Sequence, residues 1–199
     1  MNHIKLPVIF EKVLDEKFCK KVLKIRGASL KKGEIGGDNQ IDETIRKSKT
    51  KFISEEWLYQ KINPFLQEAN KKGDWNFNVN WFEPAQIAQY NKTEFYNWHV
   101  DEHDTPYPLN HTNKNFRNKI RKVSCSLLLS DPKSFEGGFL DLAVPTCHNG
   151  NLVYKKITVR PMGIGTLIFF PSFVAHQVRP VTKGKRDALV LWGLGPTYA

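Results

Sequence analysis

Phe95-Tyr96-Asn97-Trp98-His99-Val100-Asp101 is the stretch on which the reading of this chain turns. Aromatic and β-branched residues favour extended backbone, so the segment reads as a strand. Residues two apart on a strand project to the same face. His99 and Asp101 are therefore expected to face one cavity together, with Val100 turned away. An imidazole and a carboxylate so placed suit a borderline metal such as ferrous iron, and a second histidine would complete a facial triad with open positions. Alone, His-x-Asp suits several metals.

From residue 75 onward the chain continues in the same texture. Strands are expected at residues 75–81, 86–90, 95–101, 122–129, 139–144, 156–160, 166–170, 176–181 and 188–192, separated by Gly, Pro and Asn turns. Short strands so punctuated indicate a barrel or a double-sheet jelly roll. The earlier part is mixed. Val8-Ile9-Phe10 reads as a short strand, and a helix over residues 15–26 carries Phe18, Val22 and Ile25 on one stripe. Residues 33–39 form a Gly-rich loop. A second helix follows Ser54 as N-cap, with Leu58, Ile62, Phe65 or Leu66, and Ala69 on its apolar stripe; Pro64 is expected to bend or interrupt it. The polar segment 102–117, with two prolines, is long for a compact domain and suits a lid or a disordered loop. The expected architecture is mainly β with flanking helices (α+β), a double-stranded β-helix (jelly-roll) core with N-terminal helices packed outside. One domain is expected over residues 1–199, with a lead-in of about residues 1–74 and a core of about residues 75–199.

Composition narrows the class. A hydrophobic fraction of 40% and an aromatic fraction of 12% describe a globular chain. No run approaches the roughly 18 apolar residues of a membrane span, and the N-terminal residues lack a signal-peptide core, so a cytoplasmic location without membrane partner is expected. Cys19, Cys125 and Cys147 are an odd set without C-x-x-C spacing, which disfavours a disulfide framework and favours a reducing compartment. The formal charge of +10 raises the question of nucleic acid, but the basic residues are scattered and not interleaved with stacking aromatics, so a solvated basic surface is preferred.

The candidate third ligand is His176, which follows the apolar run Leu167-Ile168-Phe169-Phe170 and opens another strand. A jelly roll brings sequence-distant strands side by side, so His176 can join His99 and Asp101. Ten residues further, Arg186-Asp187-Ala188-Leu189-Val190-Leu191-Trp192 alternates, with Arg186, Ala188, Val190 and Trp192 on one face. If that face lines the barrel, a guanidinium sits in an otherwise apolar cavity and calls for an anion, best a carboxylate held by two parallel hydrogen bonds.

On these residues the chain resembles the iron(II)- and 2-oxoglutarate-dependent oxygenases, and within them the prolyl 4-hydroxylase branch. The likeness runs from about Arg46 to Gly195 through Gln89-Tyr90, residues 95–101, Leu129-Ser130-Asp131-Pro132, Phe135-Glu136-Gly137-Gly138, Gly165 to Ser172 and His176 to Gly184. The resemblance implies that His99, Asp101 and His176 hold Fe(II). It implies that Arg186 pairs with the distal carboxylate of 2-oxoglutarate, with the Tyr90 hydroxyl as a second donor and Trp192 as an aromatic near the metal. Tyr90 also reads as a core tyrosine with a satisfied hydroxyl. Collagen-type members carry lysine at the Arg186 position, and this chain departs from them there. The implied reaction consumes O2 and 2-oxoglutarate, releases succinate and carbon dioxide, and hydroxylates an unactivated C–H bond, with ascorbate as reductant. Asp101 favours hydroxylation, since related halogenases lack that carboxylate. The implied partner is a protein or peptide substrate containing proline. Alternatives are the same chemistry on a small molecule or alkylated nucleic acid, and a non-catalytic jelly-roll binding module. Trp192 stands where nucleic-acid demethylases of this type carry a second arginine, which counts against them. His103, Asp104 and His111 read as loop residues near the entrance, His148 as an exposed turn residue, and Arg179, Lys183 and Lys185 as surface charges.

Overall fold

Alternation along each strand decides which layer its side chains enter. The computed structural model describes residues 5–35 and 40–197. The chain runs β1 (Val8–Phe10), α1 (Glu16–Arg26), β2 (Lys31–Lys32), β3 (Arg46–Lys47), β4 (Lys49–Ile53), α2 (Glu56–Lys72), β5 (Trp81–Phe82), β6 (Ala85–Tyr90) and β7 (Phe95–His99). It continues through β8 (Lys119–Leu128), β9 (Phe135–Gly137), β10 (Leu140–His148), β11 (Asn151–Val159), β12 (Leu167–Pro171), β13 (Ala175–Val178), β14 (Val181–Gly184) and β15 (Arg186–Pro196). The larger sheet has the order β1-β12-β8-β15-β6-β4-β2, with β5 also on β15; the smaller has β11-β10-β13-β7-β3. Two sheets facing each other with flanking helices are the jelly roll expected from the strand succession.

The larger sheet separates two apolar layers. On its outer face Leu127, Phe169, Leu189 and Leu191 pack with Leu58, Ile62 and Leu66 of α2 and Val22 of α1. On its inner face Leu128, Ile168 and Phe170 meet Leu140, Leu142 and Val178 of the smaller sheet. Each such side chain fully withdrawn from water contributes about 1.5–3 kcal/mol. The lead-in does more than wrap the core, because β1, β2 and β4 extend the larger sheet and β3 the smaller one. Part of the expected 33–39 loop, residues 36–39, lies outside the described residues.

Several boundaries differ from expectation for local reasons. Residues 75–80 are irregular, because Asp74 and Asn76 adopt positive φ and Asn70 holds both the N–H and the carbonyl of Phe77, folding the chain back on α2. Glu55 takes the N-cap place of α2 in place of Ser54, and its carboxylate makes no capping bond but accepts from Trp57 Nε1 at 2.9 Å. Pro64 does not interrupt α2, whose buried stripe outweighs the lost hydrogen bond. The expected strand 176–181 divides in two at Arg179-Pro180, where proline offers no N–H to a ladder. Arg179 is more than a surface charge: its Nε and Nη2 hold buried Asp141 at 2.7 and 2.9 Å. Thr158 and Gln177 bond the same carboxylate, tying β10, β11 and β13 together.

Candidate active site

β13 lies antiparallel to β7, with His176 directly opposite His99. This register brings together ligands 77 positions apart in the sequence. β7 ends at His99, so Asp101 is not presented by strand alternation. Its N–H donates instead to the Ser172 carbonyl at 3.0 Å, and the bend turns its carboxylate back towards the histidines. The expectation that Val100 turns away is corrected for the same reason: beyond the strand end it lines the mouth of the cavity.

His99 Nε2 lies 3.9 Å from Asp101 Oδ1, and His176 Nε2 lies 3.5 Å from Asp101 Oδ2. One donor atom from each residue falls within 4.8 Å of the others. His99 Nδ1 is 2.7 Å from the Asn97 carbonyl and His176 Nδ1 is 3.0 Å from that of Val174. A carbonyl can only accept, so each Nδ1 carries the proton and each Nε2 presents its lone pair. Burial, reinforced by His176, pushes His99 well below its ordinary range, which favours the neutral ligand form. Burial opposes ionisation of Asp101, but positive charge at His176 and His99, the place a bound cation would take, together with Arg121 and the Ser124 hydroxyl outweighs it and holds the carboxyl below its ordinary range. Two neutral imidazoles and one carboxylate on one side of a cavity fit a divalent metal such as Fe(II).

Ser124 Oγ donates to Asp101 Oδ2 at 2.6 Å, so Ser172 Oγ, 2.9 Å away, donates to Ser124. This chain fixes the rotation of the ligating carboxylate. Ser124→Ala is expected to weaken Fe(II) or Co(II) binding about 10–100-fold, as loss of an outer-shell partner does, with little change in melting temperature. Titration of the metal-free protein by calorimetry checks this. The sequence carries a signal for it: Ser124 and Ser126 are small polar residues two apart in the otherwise apolar run from Val123 to Leu129.

The metal-ligand groups open on a cavity of about 160 Å³. Arg186, Ala188, Val190 and Trp192 all line it, as alternation along β15 requires, and Tyr90 lines it too. Arg186 is directly opposite Tyr90 in the sheet, with its guanidinium 5.6 Å from the Tyr90 ring centre. It is buried, and among the described residues its Nε has no hydrogen-bond partner. The adjacent Asp187 cannot serve it, because that carboxylate points through the sheet to Arg26 and Gln89. Burial accordingly lowers Arg186 from the usual guanidinium value. Such a group fits the carboxylate of a dicarboxylate ligand. Gly138, at φ +61°, makes room for it: a Cβ there would stand 2.8 Å from Arg186 Cδ.

The wall nearer the metal ligands was not read from the sequence. Tyr96 stacks on His99 with ring centres 3.5 Å apart, and the Arg46 guanidinium lies 4.4 Å over Tyr96. Arg121 forms a two-point ion pair with Glu83, donates to the Asp101 carbonyl at 3.2 Å and lies 4.1 Å over the Trp192 ring. Arg46, Glu83 and Arg121 belong to no short motif; only the fold brings them to Tyr96 and Trp192. The segment from Val100 to Asn118 has no strand or helix but is tied down by contacts of Tyr107 with His103, His111 and Phe116. His103 reaches the cavity from it, whereas His148 is exposed at the end of β10.

The sequence model of the 2OG-Fe(II) oxygenase superfamily matches residues 85–193, which span every one of these cavity elements except the lead-in. The chain belongs to that superfamily. A PKHD-type hydroxylase of Pseudoalteromonas atlantica is 32% identical to this chain over 110 residues, 55% of this chain and 42% of the relative. One from Xylella fastidiosa strain M23 is 34% identical over 111 residues, 55% and 43% of the two chains. The chain thus spans less than half the length of these curated relatives. Among solved structures, a Pseudomonas putida prolyl-4-hydroxylase superposes with a TM-score of 0.67 at 21% identity, over 96% of this chain and 93% of the other. A viral collagen prolyl hydroxylase from Paramecium bursaria Chlorella virus-1 gives 0.64 at 17% identity, over 97% of each chain. These likenesses show the double-stranded β-helix fold. No helix among the described residues is long and apolar enough to cross a membrane.

Proposed function

We propose that this oxygenase hydroxylates a prolyl residue in a protein or peptide, using Fe(II), 2-oxoglutarate and O2. The observation that carries the reading is the pairing of a His99-Asp101-His176 ligand set with a buried, unpartnered Arg186 in one cavity. When bound, iron and 2-oxoglutarate supply oxygen activation and the electrons for it. The remaining work falls to the chain. His99, Asp101 and His176 hold the metal through lone pairs already oriented by the Asn97 and Val174 carbonyls and by Ser124. Arg186 orients the co-substrate through its distal carboxylate, and the Tyr90 hydroxyl is the second donor. The apolar walls Leu140, Phe170 and Val178 exclude water from the reacting groups.

Trp192 offers an aromatic surface to the apolar ring of a proline, while the Tyr96 ring, covered by His99 and Arg46, backs the wall beside the candidate metal ligands. The names of the PKHD-type relatives and of the prolyl hydroxylase structures support the same target. Trp192, packed beneath Arg121, occupies the place of a second cation and counts against an alkylated nucleic acid. Ascorbate is the expected reductant. The three free cysteines, two of them buried, support a reducing, cytoplasmic location.

The test is incubation with proline-rich peptides, Fe(II), ascorbate and 2-oxoglutarate. The expected result is a one-oxygen mass gain on proline that requires 2-oxoglutarate. Succinate formation with another substrate and no gain on any prolyl peptide would overturn the target while leaving the chemistry intact.

A further inference from the structure

Phe52 is an apolar side chain in an unexpected place. It is 52% exposed, on the face of β4 that points inward. Among the described residues, only Phe52 and Val100 of the large exposed apolar side chains also line the active-site cavity. Its ring lies 6.5 Å from that of Trp192, tilted by 35°. Trp192 in turn carries Arg121 at 4.1 Å, and Arg121 bonds the Asp101 carbonyl. Arg121, Trp192 and Phe52 therefore form a staircase from the backbone of a metal ligand out to solvent. Its inner end is rigid, because Glu83 grips Arg121 at two points. Its outer step is uncovered.

We propose that Phe52 is a specificity-determining residue, the platform on which the substrate chain rests next to the residue being hydroxylated. This rests on the prolyl reading above and extends it from the target residue to its neighbours. An extended polyproline-II segment advances about 3.1 Å per residue, so the 6.5 Å between the Trp192 and Phe52 rings corresponds to two residues. With the target proline against Trp192, the residue about two positions away meets Phe52. An exposed aromatic face takes an apolar or proline residue there and rejects a carboxylate, whose desolvation it cannot offset. The substrate class is thus a proline-containing segment with a second apolar or proline residue within two positions of the target.

Peptide kinetics on the metal-loaded enzyme test this. Phe52→Ala should raise the peptide KM about tenfold, as loss of an interface anchor does, while kcat and the KM for 2-oxoglutarate stay unchanged. Phe52→Trp should restore the peptide KM. Placing Asp two residues from the target proline should penalise the native enzyme, and the penalty should largely vanish in Phe52→Ala. Because Phe52 is half exposed, an unchanged melting temperature is expected and shows that the variant folds. A peptide KM within about twofold of native, or an equal rise in the KM for 2-oxoglutarate, overturns the assignment. If the native enzyme modifies no prolyl peptide yet forms succinate on another substrate, the prolyl reading itself fails, and that is visible before any variant is made.

Discussion

His176→Ala should abolish turnover and reduce Fe(II) affinity by well over the roughly 10–100-fold that loss of an outer-shell partner produces. His176 is a buried candidate ligand whose Nε2 stands 3.5 Å from Asp101 Oδ2, and no other His, Cys, Asp or Glu among the described residues completes the set. Removing it leaves two donors, too few to hold a metal in a cavity that must keep positions open for reactants. The decisive measurement is a metal titration of the variant beside an assay of 2-oxoglutarate-dependent succinate release. Iron affinity within tenfold of native would show that His176 does not ligate. The register of β7 and β13 would then have a purely structural meaning.

Arg186→Met should produce two effects of opposite sign. Truncating one partner of a buried charge pair costs about 2–5 kcal/mol, so the KM for 2-oxoglutarate should rise from about 30-fold to several thousand-fold. The ligand-free protein should nevertheless be as stable as native or more so. In the absence of a ligand Arg186 is a buried cation without a carboxylate, and methionine fills a similar volume without that desolvation cost. Thermal denaturation without co-substrate and steady-state kinetics with it separate the two effects. A variant that loses stability but keeps its KM would show that Arg186 is a structural residue. A native enzyme that gains stability on adding 2-oxoglutarate, an effect absent from the variant, completes the case.

What could be read from the sequence follows from the range over which each constraint acts. Period-two alternation is local, and it correctly sorted Arg186, Ala188, Val190 and Trp192 from Leu189 and Leu191. The same alternation failed two residues beyond β7, where Asp101 is aimed by the carbonyl of Ser172, 71 positions away in the sequence. His176 stood out as the histidine that opens a strand after the apolar run 167–170, and the register of β13 on β7 is the physical reason it meets His99. Arg121 and Glu83 were invisible because their pairing spans 38 residues and neither stands in a short motif. Asn70 and Pro180 are intermediate cases. Each breaks an expected strand by ordinary local chemistry, a side chain bonding backbone or a missing N–H, but that chemistry wins only once the neighbouring elements have docked.

The placement of β1 has a consequence for how the molecule comes into being. Phe10 pairs with Leu167 and Val8 with Phe169, so the first strand of the larger sheet has no partner until the ribosome has made some 160 further residues. Such non-local pairing makes assembly slow and delays it until after most of the chain has been synthesised. The metal ligands obey the same schedule, since His176 follows β12 and is made after the strand that β1 awaits. A nascent chain therefore carries His99 and Asp101 for a long interval without the residue that completes the set. The candidate metal site is thus absent from the unfinished polypeptide and is complete only when β7 and β13 pair.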